Sequence, residues 1–223
     1  MTAGTLDSAF ERWLGELPRP DFERHVLGRR AWARPGAAAA EAERFGWSEL
    51  GELLEARPEP NVLVVARSQL LDIPAPRSLE SVRELMRQGI GICARRAERH
   101  HGQVADAARS LGRSFDTGVH VQVFVTPADT HGFGWHYDAE HVFIVQTAGI
   151  KDYYFRQNTV GVDAKLPDFS LIRRERSPLQ TARLLPGDCL YLPAGFWHMA
   201  RCLEDSLSMS LGVFRPSRQS PLG

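Results

Sequence analysis

Long apolar runs are missing from this chain: nowhere do about eighteen such residues follow one another, the length a helix needs to cross a bilayer. Its first residues also lack the basic, apolar and small-residue order of a secretory leader, so the sequence predicts a cytoplasmic protein with no membrane partner. Cysteine is scarce. Cys93, Cys189 and Cys202 are odd in number, form no C-x-x-C pair and sit in apolar or strand-like surroundings, which argues for buried free thiols and against a disulfide framework. Net charge is missing too, since 27 Lys and Arg balance 27 Asp and Glu. Bulk basicity therefore cannot carry nucleic-acid binding, and nucleic acid is not expected as a direct partner. There is no internal repeat and no low-complexity tract, apart from a polar tail after Pro216 with the composition of a disordered end.

What is present is the composition of an ordinary globule, 43% hydrophobic and 24% charged, in 223 residues that allow one good-sized domain with a helical extension. Phe10, Trp13, Leu14 and Leu17 follow the spacing of one helix face, with Ser8 and Glu11 placed as a capping box and Pro18 ending the run. A second short helix is predicted over 21–27, a connection at Gly36 and the four alanines after it, and another helix over 47–54. A strand follows at 61–66. Leu79, Val82, Leu85 and Met86 mark a further helix closed by Gly89, 91–94 reads as a strand, and Val104, Ala107, Ala108 and Leu111 form a helical stripe stopped by Gly112.

From Val119 the period changes to two. Val119, Val121, Val123 and Val125 share one face of a strand, and His120, Gln122, Phe124 and Thr126 share the other. More strands are expected at 141–147, 151–155, 181–185, 188–192 and 206–213. Many short strands joined by Gly and Pro turns suggest a sandwich or jelly roll.

Within this region, Gly132-Phe133-Gly134-Trp135-His136-Tyr137-Asp138 places a histidine and an aspartate at i and i+2 of an extended segment, so both side chains face one point. His198, beyond the turn at Pro193-Ala194-Gly195, is positioned to bring a third ligand. Two imidazoles and one carboxylate on one side of an ion leave the opposite positions open, the arrangement suited to non-haem Fe(II) and oxygen chemistry. A lone H-x-D is weak. Here it is accompanied by strand-like runs and by Pro186-Gly187-Asp188, a tight-turn signal ahead of the last histidine.

Taken together, Gly132 to Asp138, Val142-Phe143-Ile144-Val145-Gln146 leading to Gly149-Ile150-Lys151, and Pro186-Gly187-Asp188 through His198 carry a resemblance. The stretch 119–213 resembles the cupin superfamily and, within it, the JmjC-like Fe(II)/2-oxoglutarate oxygenases related to ribosomal-protein hydroxylases. The resemblance implies a mainly β fold, a double-stranded β-helix (cupin jelly roll), with a helical N-terminal region and early strands over 1–115, a catalytic core over 116–215 and a tail over 216–223. It implies iron held by His136, Asp138 and His198, and 2-oxoglutarate as cosubstrate with Lys151 on its far carboxylate. A buried dicarboxylate needs such a cation, because an unpaired charge in a barrel is costly.

The chain departs from the four-ligand cupin pattern, with Asp138 in place of a second histidine and Val142-Phe143 where a glutamate would stand. It also has Gln122-Val123-Phe124 where ribosomal-hydroxylase relatives often carry Asn-x-Tyr, so the cosubstrate's other contacts stay open between Gln122 and the serine face of Ser206, Ser208 and Ser210. Glu140 and His141 read as groups behind the ligands or on the surface, and the aromatics Trp135, Tyr137, Phe196 and Trp197 as packing or as a substrate slot. The expected activity is hydroxylation of a side chain in a protein or peptide substrate, with Arg173, Arg174 and Arg176 in a segment that could wall a groove. Two alternatives stand beside it: a small-molecule 2-oxoglutarate oxygenase, and a metal-binding cupin without catalysis. The oligomeric state is not legible.

Overall fold

The computed structural model describes residues 8–161 and 168–214, and the expected tail over 216–223 lies outside them. In chain order the elements are α1 (Ala9–Leu14), α2 (Arg19–His25), β1 (Trp32–Arg34), α3 (Ala39–Arg44), α4 (Trp47–Glu55), β2 (Asn61–Ala66), β3 (Gln69–Leu71), α5 (Leu79–Arg87), β4 (Gly91–Arg95), α6 (Gly102–Phe115), β5 (Val119–Thr126), β6 (His141–Ala148), β7 (Lys151–Arg156), β8 (Gln180–Leu184), β9 (Cys189–Leu192), β10 (Trp197–Cys202) and β11 (Ser206–Val213). Short 3-10 helices stand at Ala97–Arg99 and Phe169–Arg174. No helix among the described residues is long and apolar enough to cross a membrane.

Local chemistry sets several of these bounds. The Ser8 hydroxyl accepts from the Glu11 N–H while the Glu11 carboxylate accepts from the Ser8 N–H, the capping box expected at the start of α1. That helix ends at Gly15, whose φ of 59° suits glycine. Pro18 opens α2 instead of closing α1, because a proline N–H is not missed where a helix begins. Gly112 does not stop α6, which runs on to Phe115 and turns at Asp116. The glycine serves another purpose: a Cβ there would lie 2.7 Å from the Thr117 carbonyl, so it lets the chain fold back closely.

The strands form two antiparallel sheets, a large one in the order β1-β9-β6-β11-β5-β4-β2-β3 and a small one in the order β10-β7-β8. Facing each other, they make the jelly roll, a double-stranded β-helix. One face of the large sheet packs against the helices: Val121, Val123 and Val125 of β5 and Leu207, Met209 and Leu211 of β11 join Phe10, Trp13 and Phe22 in the main core. Phe143 is fully buried there, its ring centroid 5.7 Å from Phe10, 5.7 Å from Phe115 and 4.9 Å from Tyr191. The other face looks into the barrel, where Val142, Ile144, Phe155, Leu190 and Leu192 form a smaller core. The alternation of β5 and β11 thus divides each strand between an apolar wall and the lining of an interior cavity. All three cysteines are buried and free.

Candidate metal centre

His136, Asp138 and His198 are brought together by backbone pairing between the irregular H-x-D segment and the start of β10. The His136 N–H donates to the His198 carbonyl at 3.1 Å and the His198 N–H to the His136 carbonyl at 2.8 Å, an isolated antiparallel bridge. The Gly195 N–H donates to the Asp138 carbonyl at 2.8 Å, so the Pro193–Gly195 turn is tied to the H-x-D segment. From the other side, the turn between β2 and β3 leans on the same loop through the Ser68 N–H, which donates to the Gly132 carbonyl at 3.0 Å. Gly134 permits this approach, since a Cβ there would meet the Ser68 hydroxyl at 2.8 Å.

One ligand atom from each of the three side chains lies within 4.8 Å of the others. The imidazole centroids are 4.2 Å apart, and His198 Nε2 is 3.4 Å from an Asp138 carboxylate oxygen. Nδ1 of His136 stands 2.7 Å from the Gly134 carbonyl and Nδ1 of His198 3.0 Å from the Phe196 carbonyl. A carbonyl only accepts, so both rings carry a proton on Nδ1 and turn Nε2 toward the shared point, bare in His136 and able to hold a second proton against the Asp138 carboxylate in His198. Burial and the neighbouring His198 push His136 down to about 4, keeping it neutral. Burial also opposes charge on His198 and on Asp138, but their mutual hydrogen bond and attraction outweigh it, raising the imidazole and lowering the carboxyl. Two neutral-capable imidazoles and an ionised carboxylate, gathered on one side of a cavity, fit a divalent ion of the first transition row with open positions left over.

That cavity, about 280 Å³, also contains Lys151, Gln122, Ser208 and Ser210. Lys151 is 4% exposed and its Nζ lies 3.3 Å from the Ser208 hydroxyl. It forms no ion pair with a carboxylate among the described residues. Gln122 accepts at its amide oxygen from the Cys93 thiol at 3.2 Å. Ser206 turns away from the cavity to the Gln146 amide, which donates to its hydroxyl at 2.8 Å. Glu140 is buried, its carboxylate 2.8 Å from His120 Nε2, and His141 pairs with the Tyr191 hydroxyl at 2.9 Å. Among the aromatics, Trp197 is fully buried and Tyr137 packs edge-on against it. Trp135 lies under the Arg156 guanidinium at 5.8 Å. The Phe169–Arg174 helix stands beside the site, with the Phe169 ring centroid 6.4 Å from that of His136 and Arg173 and Arg174 exposed.

A family model described as the JmjC domain matches residues 97–220. The chain belongs to the JmjC domain family. Among curated proteins, this JmjC chain is 33% identical over 114 residues to Ribosomal oxygenase 1 of Gallus gallus, covering 49% of the chain and 19% of that protein. It is 29% identical over 130 residues to the bifunctional lysine-specific demethylase and histidyl-hydroxylase NO66 of Dictyostelium discoideum, covering 57% of the chain and 25% of that protein. The chain thus aligns with a quarter or less of the length of these relatives. Among solved structures, the ribosomal oxygenase YcfD from Escherichia coli, in complex with cobalt and 2-oxoglutarate, superposes with a TM-score of 0.70 at 22% identity over 92% of the chain and 53% of its own. At that identity the likeness speaks for the fold.

Two lining residues of the JmjC cavity escape a reading of the sequence. Tyr153 is 6% exposed and hydrogen-bonds with Lys151 and Ser208, so a phenol enters the pocket from β7 although Phe124 of β5 offers none. Its place two residues after Lys151 on one strand was the available signal. Burial raises Tyr153, so at neutral pH the lysine's neighbour is a neutral phenol. Arg95 reaches the cavity from β4, and only the strand register reveals it.

Proposed function

We propose that this JmjC chain is an Fe(II)- and 2-oxoglutarate-dependent oxygenase that hydroxylates a side chain of a protein or peptide. The carrying observation is the coexistence in one cavity of an open His-Asp-His ligand set and a buried, carboxylate-free lysine. An ion-binding triad alone would license only a redox-capable site, and a buried cation alone only an anion site. Together they fit a dicarboxylate that chelates a metal at one end and meets an ammonium at the other.

In this reading His136, Asp138 and His198 would hold iron, which with oxygen and 2-oxoglutarate would supply the oxidising chemistry. The protein's own work is orientation. Lys151, held by Ser208 and Tyr153, fixes the far carboxylate of the cosubstrate by a charge-assisted hydrogen bond. Gln122 and Ser210 offer an amide and a hydroxyl for the remaining polar atoms. The backbone strap between His136 and His198 keeps both Nε2 atoms aimed without rearrangement, so the geometry is set before substrate enters. A cavity near the low end of the usual small-ligand range, roughly 300 Å³ and upward, suits a small cosubstrate and one entering side chain. A polypeptide substrate accords with the names of the relatives, which are ribosomal oxygenases and a histidyl-hydroxylase.

The test is mass spectrometry of candidate peptides and proteins incubated with the chain, Fe(II) and 2-oxoglutarate. The expected result is a gain of one oxygen on a peptide residue, matched by succinate and abolished in Asp138→Ala. Succinate release stimulated by a small metabolite and by no polypeptide would replace this reading with the small-molecule one, and no 2-oxoglutarate binding at all would leave a metal-binding cupin.

A further inference from the structure

Beyond the jelly roll, the large sheet continues through β4, β2 and β3, and this extension is continuous with the cavity. Strand register sets Ser210 of β11 opposite Gln122 of β5, Gln122 opposite Arg95 of β4, and Arg95 opposite Asn61 of β2. Residues in register across neighbouring strands point to the same face, so these four form a polar row that starts at the metal cavity and runs outward along the sheet. The next row, Ser208, Phe124, Cys93 and Leu63, is largely apolar. Leu63 and Arg95 both line the cavity wall.

Arg95 is the only cation in the polar row. Its neighbours Arg96 and Arg99 share Glu98, whereas Arg95 makes no ion pair among the described residues. Its side chain is exposed, so it meets an incoming molecule without first losing an internal partner. Lys151, deep in the same cavity, is already assigned to the cosubstrate. A second cation at the outer wall repels a lysine or arginine side chain approaching the iron and attracts a carboxylate, which a guanidinium can grip with two parallel hydrogen bonds.

Resting on the oxygenase reading above, we infer that Arg95 is a substrate-specificity residue and that the substrate is an acidic polypeptide segment, with a Glu or Asp near the modified residue lying on the β5-β4-β2 row. A carboxylate is favoured over a nucleic-acid backbone because the row offers one unpaired cation rather than a basic stripe, and the chain as a whole carries no net charge.

The experiment measures binding, not turnover. Three pools of fluorescein-labelled random dodecapeptides, alike except for fixed Glu, Gln or Lys positions, are titrated by anisotropy against the chain loaded with Mn(II) and 2-oxoglutarate. The wild type should bind the Glu pool about tenfold more tightly than the Gln pool and the Lys pool most weakly. In Arg95→Gln the Glu preference should shrink to near unity, and in Arg95→Glu the order should turn toward the Lys pool. Unchanged melting temperatures check that these surface variants are folded. A Glu preference that survives in Arg95→Gln, a wild type that prefers Lys or has no preference, or tighter binding of a single-stranded oligonucleotide of equal charge would overturn the inference. 2-Oxoglutarate binding by the wild type without peptide is read separately. If it is absent while the Glu preference still follows Arg95, the oxygenase reading falls and the specificity assignment stands.

Discussion

Replacing Lys151 by methionine should move two observables in opposite directions. The side chain is nearly fully buried, and its polar neighbours are a hydroxyl and a neutral phenol, with no carboxylate to share the charge. Burial opposes an ammonium there; Tyr153 and the neighbouring thiols raise Lys151 on balance, but their charge attracts it only once they ionise, so at neutral pH it keeps a desolvation cost that a thioether of similar length avoids. Replacing even a buried ion pair by well-packed apolar groups is often neutral or stabilising by about 1–4 kcal/mol, and Lys151 lacks a carboxylate partner to offset its burial. At roughly 2–4 °C per kcal/mol for a domain of this size, Lys151→Met should hold or raise the melting temperature of the metal-loaded, cosubstrate-free protein, by up to about 10 °C. Cosubstrate affinity should fall, because the far carboxylate would then be buried opposite a methyl group. Truncating one member of a buried charge pair costs about 2–5 kcal/mol, and even 3 kcal/mol is about a hundredfold in Kd. Isothermal titration of 2-oxoglutarate into the Mn(II)-loaded variant measures the second effect, with the manganese affinity expected to stay close to wild type because Lys151 is not among the ligands. Unchanged 2-oxoglutarate affinity would refute the assignment of Lys151. A melting temperature several degrees lower would refute the argument that its charge is uncompensated.

Metal affinity should depend on pH with a slope set by one histidine. His198 is raised by Asp138 and carries a proton that the metal must displace, while His136 stays neutral down to about 4. Competition with a chelator should therefore show affinity falling about one decade per pH unit through mildly acidic pH, with a second proton entering only near the lower value. A slope of two at pH 6 would contradict the arrangement. Gly212→Ala should destabilise the fold by about 1–3 kcal/mol, since a Cβ there meets the Glu140 carboxylate that reaches across it to His120. Thermal denaturation should show much of that loss recovered when Glu140→Ala is added, and strict additivity would argue against a direct clash. Phe143→Ala should cost about 3–5 kcal/mol in urea unfolding, because the ring sits where helices and barrel share one core.

The parts legible in the sequence were those whose signal is local. The alternation of Val119 to Thr126 and of Ser206 to Val213, the Ser8–Glu11 cap and the i, i+2 pair at His136 and Asp138 need no distant partner to be seen. β1 and β3 are three residues long, too short for a period, and are strands only because β9 and β2 pair with them. Trp197 to Cys202 shows no apolar alternation, and its extended state comes from its pairing with β7. The metal loop was readable as a motif, whereas its brace from Ser68 was not, since that contact joins a hairpin turn to residues far along the chain. Arg95 illustrates the same limit: its residue type says nothing until register places it beside Gln122.

The strands added at the two ends of the large sheet bear on which hydrogen-bonding edges the protein leaves open. The residues matched by the family model begin at position 97, yet β9 is covered along one side by β1 and β5 by β4, both from earlier in the chain. A fragment confined to the matched region would expose the open hydrogen-bonding edges of β5 and β9, two strands rich in valine, leucine and aromatic residues. Such edges are templates for strand addition by another molecule. Among the described residues the outermost strands are instead β1 and β3, each three residues long, which offer little length for another strand to join. The N-terminal segments therefore act as covers for sticky edges, and a shortened fragment should aggregate even where its metal ligands are intact.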